Sequence, residues 1–333
     1  MLLDELIGAR LAVGLPGLTA TDDVITQLRH LHAHTVVVFQ WNYESPEQFV
    51  DLLKTLNSAL ERRVLVMVDH EGGRVVRFHG EGATHFPDAM TMARVHGAAA
   101  IERQGATEAA ELRRLGVHVN LAPCVDVIVE GCDPIIGDRS YGSNPHQVTE
   151  CGVARIRGLQ AHGIAACAKH FPGLGAVPRD PHKELPTISI GWDAMEATHL
   201  VPFRAAIAVG VETVMSSHVC YPGLGELPGL PATFSPLLIR ELLRERMGFS
   251  GAILTDDLEM GALRALGTIG EAAVRATAAG HDMLLMCSDL GAAKEARSAL
   301  QQAYESGRLS RVELSASVAR IEHLRQKNLL PNP

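Results

Sequence analysis

Residues 164–187 read IAACAKHFPGLGAVPRDPHKELPT, and this stretch decides how the rest of the chain is interpreted. Its apolar start ends in Lys169 and His170, which is typical of a buried strand that delivers a cation and an imidazole to a site. A loop containing proline and glycine follows and presents Asp180 and His182. This combination suits acid/base chemistry on a polar, hydroxyl-rich ligand.

On both sides of this stretch, short apolar runs rich in Val and Ile alternate with longer segments of helical period. Eight such runs occupy residues 11–15, 35–40, 64–69, 117–122, 164–168, 211–216, 251–255 and 282–286. The amphipathic segments between them include residues 46–62, 98–115, 146–162, 192–209, 236–247 and 270–279. Eight apolar strands alternating with helices indicate an α/β fold of the (β/α)8 TIM type, with a parallel sheet covered by helices. We predict one such barrel domain over residues 1–333.

The composition excludes several classes of function. With 333 residues, 47% of them hydrophobic, the chain can build a sizeable core. A net charge of -8 and a pI near 6.0 give no electrostatic reason to expect a nucleic acid or an anionic membrane as a partner. The start MLLDELIGAR is too charged for a signal peptide, and no apolar stretch reaches the roughly 18 residues of a membrane span. We therefore expect a cytoplasmic protein, whose six cysteines form no CxxC pair and are ordinary buried thiols.

Polar residues follow the apolar runs, at the end of the strands where a barrel of this type carries its chemistry. They occur after six of the runs: Asp69-His70-Glu71, Asn120 with Asp126, Lys169-His170, Ser217-His218, Asp256-Asp257 and Ser288-Asp289. His32 and His34 instead precede the second strand and fall at the opposite end of the barrel. That position argues against a metal-dependent barrel hydrolase, and we predict no metal site.

Four motifs occur in order along the chain: Asp69-His70-Glu71-Gly72-Gly73-Arg74-Val75-Val76-Arg77, Lys169-His170-Phe171-Pro172-Gly173, Asp180-Pro181-His182 and Thr255-Asp256-Asp257-Leu258-Glu259-Met260. They resemble the signatures of family 3 glycoside hydrolases, and within that family the single-domain β-N-acetylglucosaminidases of the peptidoglycan-recycling type. The resemblance covers roughly residues 8–288. It implies hydrolysis of terminal β-linked N-acetylglucosamine from a small muropeptide or disaccharide, and it calls for no cofactor. The oligomeric state is left open.

The resemblance also assigns catalytic roles. Hydrolysis with retention needs a nucleophile on one face of the anomeric carbon and a proton donor at the leaving oxygen. Asp256, the first acid after Thr255, is the expected nucleophile. His182 is the expected general acid/base because its ordinary pKa lies near neutral pH, and Asp180 is expected to orient its imidazole. Asp257 is instead expected to cap the following helix.

Further residues are expected to hold the sugar. Lys169 and His170 can hydrogen-bond ring hydroxyls, and the resemblance adds Asp69, Arg77 and Arg139, whose charged groups suit the same contacts.

Other polar side chains near the strand ends can have a structural role instead of contacting the substrate. Arg74 is expected to belong to a structural ion pair. Asp126 could line the pocket or support it from behind, and His218 could be a pocket wall or a core histidine.

The chain departs from the family pattern at two positions. Leu174 replaces a second histidine, and Pro181 replaces the more frequent serine between Asp180 and His182. Gly173 and Gly175 would permit the loop to move. Family members with a histidine dyad can resemble phosphorylases, because an anionic acceptor tolerates a histidine better than a carboxylate, and Leu174 leaves a catalytically idle carbohydrate-binding barrel open. Both stay as alternatives to the hydrolase.

Overall fold

The eight predicted strands form a closed parallel barrel, so the predicted fold is confirmed. The computed structural model describes residues 2–80, 82–129, 131, 135–177, 180 and 185–329. The strands are β1 (Leu11–Gly14), β2 (Thr35–Val38), β3 (Leu65–Val68), β4 (Val119–Asn120), β5 (Ala165–Phe171), β6 (Thr213–Ser216), β7 (Ala252–Asp257) and β8 (Met283–Met286). Each strand pairs with its neighbour in the chain, and β8 pairs with β1 to close the sheet. The limits of the domain at residues 1–333 stay a prediction.

Helices surround the barrel. They are α1 (Leu3–Gly8), α2 (Asp22–Leu31), α3 (Pro46–Leu60), α4 (Ala89–Thr91), α5 (Gly97–Leu115), α6 (Pro145–Ala161), α7 (Trp192–Ala194), α8 (Leu200–Ala208), α9 (Gly261–Arg264), α10 (Ile269–Ala279), α11 (Leu290–Glu305) and α12 (Arg311–Asn328). Three π-helical segments, Met92–His96, Met195–His199 and Leu237–Arg246, complete the helical layer. Side-chain hydrogen bonds cap the first residues of several helices. At the start of α10, the Thr268 side chain accepts the backbone amide of Glu271, and the Glu271 side chain accepts the backbone amide of Thr268.

Continuous apolar strands follow from burial on both faces of the sheet. In β2, Val36 and Val38 belong to the cluster shared with the helices, whereas Val37 belongs to the cluster inside the barrel. Side chains alternate between the two faces of a strand, so a strand covered on both sides needs apolar residues at every position. This requirement explains why the strands appear in the sequence as short, continuous apolar runs.

Helix α12 closes the end of the barrel at which the strands begin. Its Ile321 and Leu324 join the interior cluster. Arg325 donates to the backbone carbonyls of His34, at 2.8 Å, and of Arg63. His34 directly precedes β2 and Arg63 lies two residues before β3, so α12 binds the barrel opposite the predicted site. His34 is thereby placed at the end away from the chemistry, as predicted.

Two strands are longer than the apolar runs predicted. Lys169 and His170 were expected after the fifth strand, but β5 includes both; likewise β7 includes Asp256 and Asp257. Backbone pairing with the neighbouring strands continues past the last apolar residue, which side-chain hydropathy cannot reveal. These polar groups therefore stand on the sheet itself.

The five cysteines in the described ranges are all buried, in line with the expectation of ordinary thiols, and Cys132 lies outside those ranges. No helix among the described residues has the length and apolar character needed to cross a membrane.

Candidate active site

A pocket of about 430 Å³ opens at the carboxyl ends of the strands. Its charged and polar lining residues are Asp69, Arg74, Arg77, Arg139, Lys169, His170, Asp256 and Asp257. Its apolar lining includes Val37, Phe39, Leu121, Leu174, Met215, Met260 and Leu285. The volume is typical of small-molecule sites, which range over roughly 300–1,000 Å³. The structure thus brings together six predicted site residues contributed by separate β/α units.

Lys169 lies at the floor of this pocket. Its side chain is 2% exposed, and its ammonium group contacts Asp69 Oδ1 at 2.6 Å and Glu71 Oε1 at 2.7 Å. Burial opposes the charge, but the two carboxylates outweigh it and hold the pKa of Lys169 above its ordinary value. Lys169 is therefore a fixed cation, suited to donating hydrogen bonds to a ligand and unsuited to acting as a base.

Glu71 was not singled out from the sequence, although it connects two residues that were. Arg139 donates to both of its carboxylate oxygens, from Nε and Nη2, each at 2.8 Å. Burial favours the neutral acid, but Arg139 and Lys169 prevail and hold the pKa of Glu71 well below its usual range. Its position two residues after Asp69 in an extended segment was a usable signal, since side chains at that spacing share one face.

His170 is held from behind by Asp126. Its Nδ1 lies 2.7 Å from Asp126 Oδ2, and the same carboxylate accepts the amide of Leu174 at 2.6 Å. Because Asp126 is completely buried, it supports the pocket from behind. The bond with Asp126 therefore fixes the orientation of the His170 ring, with Nε2 on the side away from this carboxylate.

Cys124, Asp126 and His170 lie close enough together for metal ligation, with candidate ligand atoms within 4.8 Å of one another. The thiol of Cys124 already contacts Asp126 at 3.2 Å. Burial and the nearby Asp126 raise the pKa of that thiol well above its ordinary value, so the thiol keeps its proton and can donate it to Asp126. Hydrogen bonds from Cys124 and His170 to Asp126 are sufficient to explain why the three side chains lie together.

Asp256 reaches the pocket from the end of β7. Its Oδ1 accepts the amide of Asp257 at 2.8 Å, which fixes the carboxylate. Burial favours the neutral acid, but His170, His218 and Lys169 contribute to holding its pKa below the ordinary value. An ionised carboxylate on a rigid strand is chemically suited to attack a carbon that bears a leaving group.

Asp257 does not cap the next helix, so that expectation is wrong. Helix α9 starts after Met260, which provides no side-chain cap. Asp257 instead accepts the amides of Glu259 and Cys287, at 3.1 and 3.2 Å, and lines the pocket. Burial, with the charges of Glu259 and Asp256, raises its pKa to about 7. Behind it, His218 is 1% exposed and bonds to Thr233 and to the carbonyl of Asp257, as a core histidine would.

Arg77 forms the side wall. Its Nη2 lies 3.7 Å from Asp69 Oδ2, and its guanidinium carbon is 5.5 Å from the centre of the Phe39 ring. The amide of Arg77 donates to Nδ1 of His70 at 3.4 Å. Burial, assisted by Arg155, lowers the pKa of His70 to about 3, so His70 stays neutral and can accept this bond.

Arg74 belongs to a structural ion pair, as expected. It pairs with Asp138 at 2.8 Å and donates to the carbonyls of Ile135 and Ile136. Both charged side chains of the pair are nearly half exposed, so the pair belongs to the rim of the pocket.

The proposed acid/base pair is only partly described. Asp180 is half-buried, whereas His182 and Pro181 lie outside the described residues. Both glycines at the predicted hinges are closely packed, so glycine is required there whether or not the loop moves. A Cβ at Gly175 would lie 2.0 Å from the carbonyl oxygen of Val127, and one at Gly173 would lie 2.7 Å from His199. Close packing accounts for both glycines.

A buried ion pair supports the loop that carries Asp69. Arg155, on α6, contacts Glu108 on α5, and the two side chains are 2% and 1% exposed. The same Arg155 nitrogen donates to the backbone carbonyls of His70 and Glu71, each at 3.3 Å. Sequence analysis missed this support because a buried arginine on a helix carries no local signature.

Known proteins resemble this chain in sequence and in structure. The model of the glycosyl hydrolase family 3 N-terminal domain matches residues 3–324. A beta-hexosaminidase from Nitrosomonas eutropha is 36% identical over 321 residues, covering 95% of this chain and 88% of that protein. A beta-hexosaminidase from Methylococcus capsulatus is 40% identical over 264 residues, covering 78% and 77%.

Two solved structures have the same architecture. One is a glycoside hydrolase family 3 beta-N-acetylglucosaminidase from Paenibacillus sp. str. FPU-7, with a TM-score of 0.96 and 35% identity. The alignment covers all of this chain but only 64% of the Paenibacillus chain. The other is NagZ from Neisseria gonorrhoeae in complex with N-trifluoroacetyl-D-glucosamine, with a TM-score of 0.84, 30% identity, and coverage of 97% and 90%.

Proposed function

This chain belongs to glycosyl hydrolase family 3, and from that premise we propose that it is a retaining exo-glycosidase. Its substrate would carry a terminal, non-reducing β-linked N-acetylglucosamine and would be a muropeptide or disaccharide fragment of peptidoglycan, cleaved in the cytoplasm. The observation that carries this proposal is the ionised Asp256, which lines the same pocket as the paired Lys169 and Asp69.

The first half of the reaction forms a covalent intermediate. Asp256 attacks the anomeric carbon, the bond to the leaving oxygen breaks, and His182 gives that oxygen a proton. Asp180 favours the imidazolium form that can donate this proton. In the second half, His182 takes a proton from water, the water oxygen bonds to the anomeric carbon, and Asp256 is released as a carboxylate.

The remaining lining residues fit a sugar in the pocket. Lys169 and Asp69 offer a donor and an acceptor whose positions are fixed by their mutual 2.6 Å contact. Hydroxyl groups next to each other on a sugar can use both. The methyl of an acetamido group would need apolar surface, which Leu121, Met215 and Leu285 provide. The complex of the related NagZ with an N-acyl glucosamine supports the same sugar class.

The test compares aryl β-N-acetylglucosaminide with aryl β-glucoside, each with and without inorganic phosphate. The proposal expects phosphate-independent release from the acetamido sugar alone, and Asp256→Ala should abolish it. A glycosyl adduct on the Asp256 peptide, trapped with a slow fluorosugar substrate and found by mass spectrometry, would support the covalent step. Phosphate-stimulated formation of sugar 1-phosphate would instead establish a phosphorylase, and inactivity on every substrate would favour the idle binding protein.

A further inference from the structure

Trp41 is a half-exposed aromatic residue beside the pocket, 50% exposed. Its indole Nε1 donates to the carbonyl of Leu15 at 2.9 Å. The side chain of the next residue, Asn42, is completely buried and donates to the carbonyls of Leu15 and Gly17 at 3.0 and 2.9 Å. It also accepts the amide of Phe39 at 2.8 Å. These bonds hold the indole in one orientation although half of it faces solvent.

A stack of side chains connects Trp41 with the pocket. The Trp41 ring lies on the Phe39 ring with their centres 4.5 Å apart and an angle of 8° between their planes. Phe39 lines the pocket, and the Arg77 guanidinium carbon is 5.5 Å from its ring centre. Arg77 in turn pairs with Asp69. Trp41 is therefore the outermost member of a continuous wall that begins at the pocket floor.

Exposure increases along this wall. The Lys169 side chain at the floor is 2% exposed, Asp69 is 20% and Arg77 is 26% exposed, and Trp41 is 50% exposed. A terminal sugar bound at the floor would leave the rest of its substrate pointing toward the exposed end. The wall thus extends from the sugar pocket in the direction of the leaving group.

The chemistry of the exposed ring indicates what it binds. The polar N–H of Trp41 is already bonded to Leu15, so its exposed ring surface offers apolar, π-electron-rich contact. A pyranose ring presents C–H groups on its faces, and their partial positive charge suits the face of an aromatic ring. We propose that Trp41 is the binding platform for the second sugar ring of the substrate, on the leaving-group side of the cleaved bond. This inference rests on the proposed glycosidase function and deepens it.

The kinetic test compares two substrates, of which only one places a group on the platform, and uses the ratio of variant to wild-type rate for each substrate, so that their different leaving-group abilities cancel. N-acetylglucosaminyl fluoride has a single-atom leaving group that cannot reach Trp41, whereas N,N'-diacetylchitobiose has a second sugar ring. Trp41→Ala should lower kcat/KM for the disaccharide about tenfold and leave the fluoride within about twofold of wild type, as the loss of one aromatic stacking contact implies. Trp41→Phe, which keeps a ring, should restore most of the disaccharide rate. Trp192→Phe, at the other tryptophan, should change neither rate.

A binding test does not depend on turnover. The chain contains two tryptophans, so Trp192→Phe leaves Trp41 as the sole indole fluorophore. In that variant with Asp256→Ala added, the disaccharide should shift the emission to shorter wavelength and protect the indole from iodide quenching. N-acetylglucosamine alone should do neither.

The possible outcomes test the Trp41 platform and the proposed glycosidase function separately. A wild-type protein inactive on the fluoride and the disaccharide would overturn the proposed function and the platform together. Active wild-type protein, with equal losses on both substrates in a folded Trp41→Ala variant, would overturn the platform alone. So would disaccharide binding, measured by calorimetry, that leaves the Trp41 fluorescence unchanged.

Discussion

Replacing Arg155 by methionine should destabilise the protein by leaving Glu108 buried without its cation. The Glu108 side chain is 1% exposed. Breaking a buried ion pair from one side costs about 3–5 kcal/mol. Burial raises the pKa of Glu108 to about 7 even beside Arg155, so in the variant its carboxyl should take up a proton and lose the pairing energy rather than stay charged. The unfolding entropy of a 333-residue chain is about 0.7 kcal/mol per kelvin, so the melting temperature should fall by about 4–7 °C.

The double variant Arg155→Met/Glu108→Met distinguishes this cause from general damage to the helix packing. It removes both charges, and the remaining cost is the bond that Gln104 donates to Glu108 at 3.0 Å and the two bonds that Arg155 donates to the carbonyls of His70 and Glu71, worth about 1 kcal/mol each. The single variant loses the two carbonyl bonds as well. Thermal unfolding followed by circular dichroism should therefore show the double variant closer to wild type than the single variant. Equal melting temperatures for the single and double variants would refute the reasoning.

The double variant should regain part of the stability that the single variant loses, but it should not regain activity. Arg155 also donates to the backbone carbonyls of His70 and Glu71, and methionine cannot replace these bonds in either variant. The loop carrying Asp69 would lose its support, and small displacements of positioning groups cost large factors in rate. We expect kcat/KM to stay at least about tenfold low in the double variant. A double variant with wild-type stability and wild-type kcat/KM would show that the two hydrogen bonds do not position the site.

Three further predictions concern single groups. His182→Ala should lose most kcat/KM on aryl glycosides with poor leaving groups, because good ones need little protonation, and equal losses across a leaving-group series would contradict the acid role. Glu71→Gln should lower activity about tenfold or more and the melting temperature by several degrees, since it removes the carboxylate that pairs with Arg139 and one of the two that pair with Lys169. Asp138→Asn in the exposed rim pair should instead cost under about 1 kcal/mol in urea unfolding. The pKa of Asp257 is raised from 3.8 to about 7, so its contribution to stability is full below about pH 4 and is lost as the pH rises through 7. Asp257→Asn should therefore show a smaller fall in melting temperature between pH 5 and pH 8 than wild type, and identical slopes would contradict the raised pKa.

Apolar periodicity was sufficient to predict the barrel because strands covered on both faces need apolar residues throughout. It also located Asp69, Lys169 and Asp256 at one end of the barrel, since the carboxyl ends of parallel strands meet there. The apolar pattern could not predict which side chains from distant parts of the chain contact each other. The contact of Lys169 with Asp69 joins residues 100 positions apart, and nothing local in either motif specifies it.

Two kinds of site residue were harder to find from the sequence. Arg155 is buried on a helix and acts through other residues, so nothing in its local sequence suggests function. Glu71 lies within the first motif, but its role depends on its contacts with Arg139 and Lys169, which the sequence does not show. Asp257 was misassigned because an acid before a helix commonly caps it, whereas here the chain first turns and α9 starts after Met260. The catalytic assignment of His182 continues to rest on its motif.

Closure of the barrel has a consequence for how the chain is made. Because β1 pairs with β8, the sheet keeps two open edges on the ribosome until the residues around 283–286 have emerged. Helix α12, whose Ile321 completes the interior, emerges later still. Nearly the whole chain must therefore be synthesised before the sheet can close, and until then its apolar strands have edges that can pair with other chains.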